Sequence, residues 1–169
     1  ITSANITCGF HAGDETTIRR TIDHCKKYKV AIGAHPGFDD KLNFGRKEII
    51  LEQQAYYELV FQQLVLLKKI CDEKKVILHH VKPHGALYNM AAKDKLLAAA
   101  IAKAVKDFDA SLIFYGLSGS EMIAAAKDID LKTCSEVFAD RTYQSDGTLT
   151  PRTEADALIQ STDESVKQV

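Results

Sequence analysis

Val76-Ile77-Leu78-His79-His80-Val81-Lys82-Pro83-His84-Gly85-Ala86-Leu87-Tyr88-Asn89 is the stretch on which the reading of this chain turns. Three β-formers lead in, Pro83 and Gly85 interrupt, and a helical pattern starts soon after, so the stretch is a strand that runs out into a turn before a helix. Side chains alternate along a strand. His80, Lys82 and His84 therefore share one face, and His79, Val81 and Pro83 the other. Two imidazoles and an ammonium are a poor core. They suit a site that moves protons and holds anionic oxygen.

The same order recurs on both sides. Ser3-Ala4-Asn5-Ile6-Thr7-Cys8 alternates, with Ala4, Ile6 and Cys8 on one face and Ser3, Asn5 and Thr7 on the other. A turn over 9–13 leads to Asp14, a good N-cap for a helix carrying Ile18, Ile22 and Cys25. Residues 30–34 form a second strand that ends at His35-Pro36-Gly37. After a loop over 38–46, a long amphipathic helix spans about 52–71, with Tyr56, Leu59, Val60, Gln63, Leu64, Leu67 and Cys71 as its inner stripe. Beyond the central stretch, Asp94 caps a helix that turns Leu97, Ala100, Ile101, Ala104 and Val105 inward. A strand over 111–115, a turn over 116–120, a helix over 121–127, a strand over 131–137 and a helix within 151–169 follow. Strands alternating with helices predict right-handed βαβ units and a parallel sheet in a single domain over 1–169. Five strands are too few to close a barrel. Ile1 reads as mid-strand and Val169 as just inside a helix, so a part of a larger fold is expected.

Composition narrows the classes of function. Net charge is −1 and 27% of residues are charged, which gives no electrostatic case for nucleic acid or a membrane surface. The sequence holds no apolar run of bilayer length and no signal-peptide pattern. Its four cysteines form no Cys-x-x-Cys pair; buried reduced thiols, suited to the cytoplasm, are the expectation. Cys8, beside Gly9 and His11, is the one conceivable nucleophile.

His11, His35, Lys82, His84, Glu136, Asp140 and Arg141 all fall at the carboxyl ends of strands, the edge where parallel α/β proteins build their sites. Three histidines with carboxylates suit general acid–base chemistry, Asp14 or Asp140 orienting an imidazole. The same three suit a zinc-like ion, although no His-x-x-His pattern fixes two ligands on one element. Lys82 with Arg46 or Arg141 suits an anionic substrate or a phosphoryl group. There is no P-loop motif, and the turn over 116–120 reads as a simple turn rather than an anion cradle.

The blocks 3–14, 31–37 with Phe44-Gly45-Arg46, 79–89, and 136–143 with Asp146-Gly147 and Pro151-Arg152 resemble, in order, those of the LamB/YcsF family. The resemblance implies an irregular seven-stranded (β/α) barrel, related to the polysaccharide deacetylase fold. It implies that a further strand precedes Ile1 and a further block follows Val169. It also implies ATP-dependent opening of 5-oxoproline to glutamate, with ATP bound together with Mg and with subunits B and C of a 5-oxoprolinase as partners. On that basis His11, His35, Lys82, His84 and Asp140 are the expected catalytic set. Asn5, Asp14, Arg46, His80, Tyr88, Asn89, Glu136 and Arg141 are the expected substrate or phosphoryl contacts. Any divalent metal would fall to His11, His35 and His84. Two other readings compete: a metal-dependent carbohydrate deacetylase-like hydrolase, and a non-catalytic module that binds substrate or docks partners.

Overall fold

The computed structural model describes residues 1–168. Its elements run β1 (Ser3–Thr7), α1 (Glu15–Tyr28), β2 (Ala31–His35), α2 (Gln53–Glu73), β3 (Leu78–Val81), α3 (Gly85–Ala91), α4 (Lys95–Phe108), β4 (Ile113–Leu117), α5 (Glu121–Asp128), β5 (Thr133–Glu136) and α6 (Thr162–Gln168). Every strand pairing is parallel and the sheet order is β1-β2-β3-β4-β5. A doubly wound sheet reverses its order and carries helices on both faces. An order that never reverses, joined by right-handed crossovers, lays the helices along one face. That is the wall of a (β/α) barrel, with the other face turned inward.

The faces follow the register. Ala4 pairs with Ile32 and Ile6 with Ala34, and Ile6, Ile32, Ala34, Leu78, Val81 and Phe114 join the buried residues of α1, α2, α4 and α5 in one apolar core. Asn5 pairs with Gly33 and Gly33 with His80, so these three share the inner face. The helices begin where their caps allow. Asp14 accepts from Thr17 N at 2.7 Å, and Asp94 accepts from Leu96 N and Leu97 N. Lys29, with φ 55°, closes α1 in the left-handed conformation.

The structure departs from the expected elements in three places. The β2–β3 register shifts between Ile32 and Gly33, so Leu78 faces the helices while His80, two residues on, faces inward. This leaves His79 exposed rather than aligned with buried Val81. The fourth strand lies two residues later than 111–115 because Gly116 is a strand residue, not a turn; a Cβ there would meet Met122 at 3.0 Å, so glycine lets α5 pack close. The helix expected soon after Gly85 starts at Gly85 itself and is two helices, α3 and the Asp94-capped α4, and the last helix is confined to Thr162–Gln168, with Val169 outside the described residues. No helix among the described residues is long and apolar enough to cross a membrane.

Gly33 is the tightest point of the inner face. A Cβ at this position would collide with the His80 ring, which is held between an Asn5 hydrogen bond and the Tyr115 ring. Gly33→Ala is expected to cost about 1–3 kcal/mol, as overpacking of a filled core does. Urea denaturation measures it, and an unchanged midpoint would show that His80 can move aside freely.

Candidate active site

At the carboxyl ends of the strands lies a cavity of about 650 Å³, lined by Asn5, His35, Arg46, Lys82, His84, Tyr88, Asn89 and Arg141 among the expected residues. Segments distant in sequence meet here because each strand runs in the same direction and delivers its last residues to one rim.

Three imidazoles form one cluster beside this cavity. His84 Nδ1 stands 3.0 Å from His35 Nε2. His11 stacks on His84 with centroids 3.9 Å apart and planes 5° apart, and it meets His35 edge-on. Backbone carbonyls orient the pair: His35 Nδ1 lies 2.6 Å from Lys82 O, and His84 Nε2 lies 2.8 Å from Phe44 O. A carbonyl can only accept, so both of those nitrogens carry protons. Gly45, with φ 64°, lets the loop pass over the cluster, where a Cβ would stand 2.8 Å from that of His11. Burial favours the neutral rings. It lowers His35 to about 3 and His11 to about 4, and it depresses His84 as well, where Arg46 and Lys82 add to the effect.

Lys82, just after β3, and Tyr88 of α3 face the cavity, while Glu136 of β5, expected as a substrate contact, lies outside its lining and meets Lys82 instead. Lys82 Nζ pairs with Glu136 Oε2 at 2.7 Å, with only 15% and 19% of the two side chains exposed. The ammonium also lies 4.8 Å from the Phe138 ring centre. Tyr88 Oη and Glu136 Oε1 are buried without a hydrogen-bond partner. Burial, reinforced by Glu136, pushes the Tyr88 hydroxyl far above its ordinary range, so it stays a donor. Arg141 is buried and donates from Nε and Nη2 to the carbonyls of Ala157 and Thr150, so part of its donor set pins the loop after β5.

Several expected roles are corrected. Asp14 is exposed and spends its carboxylate on capping α1. Asp140 is exposed and outside the cavity lining; neither carboxylate orients an imidazole, because backbone carbonyls do. His80 is wholly buried and is not part of the lining. It bonds to Asn5 Oδ1 at 2.8 Å and stacks on Tyr115, which makes it scaffold under Asn5. Cys8 is no nucleophile, since burial pushes its thiol up to about 12 and its sulfur donates to Ile6 O. The three histidines do not converge as metal ligands. The parallel rings of His11 and His84 set their in-plane nitrogens side by side, and both His84 nitrogens are engaged. Among the described residues no three His, Cys, Asp or Glu side chains are placed to hold an ion.

Sequence reasoning missed Glu48 and Arg152, which line the cavity from irregular loops. It also read Gln63 as one more residue of the α2 stripe. Gln63 is fully buried and grips Gly37 twice, accepting from Gly37 N at 3.0 Å and donating to Gly37 O at 2.8 Å. The signal was present: an amide in an apolar stripe needs a polar partner. Gln63→Leu strands both backbone groups of the loop that carries His35. The expected loss is about 2 kcal/mol, read by urea denaturation, and a loss under a few tenths would refute the clamp.

The model of the LamB/YcsF family matches residues 1–169. The chain is 54% identical over its whole length to the A subunit of 5-oxoprolinase from Tolumonas auensis and 56% identical to that from Shouchella clausii, spanning 67% of each. The crystal structure of the lactam utilization protein from Thermus thermophilus superposes with a TM-score of 0.91 at 39% identity, over 99% of this chain and 68% of that one. The chain thus spans about two thirds of the length of the relatives it matches. Five parallel strands in unbroken order, the rim of imidazoles and the full-length match agree, and the chain belongs to the LamB/YcsF family.

Proposed function

We propose that this chain carries the lactam-opening site of a 5-oxoprolinase: hydrolysis of 5-oxo-L-proline to L-glutamate, driven by ATP with Mg and carried out together with partner subunits B and C. The observation behind this reading is the joint presence, around one cavity, of the His35–His84 pair, Lys82 and Tyr88, and the arginines Arg46, Arg141 and Arg152, with Glu136 holding Lys82 from outside the lining. The names of the relatives point to the same substrate class.

A five-membered lactam has a poor electrophilic carbon and a poor leaving nitrogen. ATP would supply a phosphoryl group on the amide oxygen, making the carbon electrophilic; attack by one water with cleavage of the C–N bond would leave an acyl phosphate, from which a second water would release phosphate and L-glutamate. The residues present fit such a group, since Arg46, Lys82, Arg141 and Arg152 line the cavity against one lining carboxylate, Glu48. Lys82 lies beside the oxygen where charge develops, held there by Glu136. Tyr88, kept protonated, donates to the same region. The substrate carboxylate pairs with an arginine of the rim, and the imidazoles handle the proton of the attacking water. A cavity of about 650 Å³ is ample for a small lactam.

The test is glutamate release from 5-oxoproline by the full protein, with and without ATP and the two partner subunits. Release that requires all three is expected. No glutamate with every component present would overturn the reading, and turnover of an acetylated sugar without ATP would replace it.

A further inference from the structure

The hydrogen bonds around His35 and His84 require more protons than two neutral imidazoles hold. His35 Nδ1 must donate to Lys82 O and His84 Nε2 must donate to Phe44 O. The 3.0 Å contact between His35 Nε2 and His84 Nδ1 needs one further proton. Three bonds take three protons, and two neutral rings carry two. In the neutral pair, two lone pairs confront each other across that gap. With one added proton every contact becomes a good hydrogen bond. A second added proton would have no acceptor in this set and would place two cations side by side.

We propose that His35 and His84 act as one proton-binding unit with a capacity of one, the proton entering the gap between His35 Nε2 and His84 Nδ1. The surroundings set the balance. His11 stacks against His84 from the loop after β1, offering a neutral ring face. The loop between β2 and α2 contributes the Phe44 carbonyl and the Arg46 cation, and the residue after β3 contributes the Lys82 carbonyl and ammonium, the latter offset by Glu136 of β5. Burial and the two cations oppose protonation, while the missing hydrogen bond and the His11 face favour it. The balance of these effects sets the pH at which the unit takes its proton.

Its chemical use rests on the lactam-opening reading; its existence does not. When the oxygen of water bonds to the lactam carbon, an O–H bond breaks and that proton enters the gap. When the C–N bond breaks, the unit returns the proton to the ring nitrogen as a new N–H bond; the hydroxyl proton passes to solvent and the carbon is left as an acyl phosphate, which a second water hydrolyses to the carboxylate and phosphate. One proton is taken and one given back, matching the capacity.

The test is long-range proton–nitrogen NMR on the full protein labelled with ¹⁵N-histidine, from about pH 8 to about pH 4. A single step in which both rings shift together is expected, with His35 Nδ1 and His84 Nε2 protonated throughout. In His84→Asn the joint step should give way to a His35 step displaced by at least about one pH unit. Two separate steps, a shift of one ring alone, or no step before unfolding would overturn the proposal. A joint step in a protein that fails to open 5-oxoproline would overturn the function and leave the proton-sharing unit standing.

Discussion

Lys82→Met is expected to lower stability by about 3–5 kcal/mol and to reduce lactam opening at least about a hundredfold. The methionine fills most of the lysine's volume, so packing is nearly kept and the loss is electrostatic. Glu136 would remain in a site where only 19% of its side chain is exposed, with one oxygen already unpartnered and its paired cation gone. Leaving a buried charge uncompensated is what makes breaking such a pair costly, whereas the intact pair contributes little by itself. The double variant Lys82→Met with Glu136→Gln removes the stranded charge and should regain most of the stability while activity stays low. Urea denaturation and glutamate release separate the two effects. If the single variant kept both stability and turnover, the Lys82–Glu136 pair would have no part in the site.

This pair also shows what a sequence yields and what it withholds. The alternation through His80, Lys82 and His84 was legible because a strand has a period of two. Their partners Asn5, Glu136 and His35 do lie on the inner face or at its rim. Caps at Asp14 and Asp94 and the stripes of α1, α2 and α4 were legible for the same kind of local reason. The division of labour among the polar residues was not. Nothing local tells that His80 stops beneath Asn5 while His84 reaches the cavity, because the register shift opposite Ile32 and Gly33 is set by how two strands pair. Asp140 and Glu136 are four residues apart and chemically alike; one turn of the chain after β5 sends the first to solvent and leaves the second against Lys82. That carbonyls rather than carboxylates orient the imidazoles could not be read either, since every residue has a carbonyl.

Acid should unfold this protein well above the usual carboxylate range, and histidines should set the slope. An unfolded histidine titrates near pH 6.5, whereas burial holds His11 and His80 at about 4 in the folded state. Between those values the unfolded chain binds protons that the folded chain refuses, so stability is full above about pH 6.5 and is lost as pH falls toward 4. Each such group contributes about 1.4 kcal/mol per pH unit across the window. The His35–His84 pair adds a third share, because two unfolded histidines take two protons and the folded unit takes one. The combined slope of about 4 kcal/mol per pH unit would exhaust a typical domain stability of about 5–15 kcal/mol, with unfolding under way by about pH 5 and complete near pH 4. His11→Phe keeps an aromatic face against His84, removes two buried nitrogens without partners and deletes one titrating group. It should therefore flatten the slope by about a third and raise the stability at pH 5. Urea midpoints at several pH values between 7 and 5 decide it. A wild-type profile that is flat over that interval would mean that the buried imidazoles are charged in the folded protein, and the electrostatics assigned to this rim would be wrong.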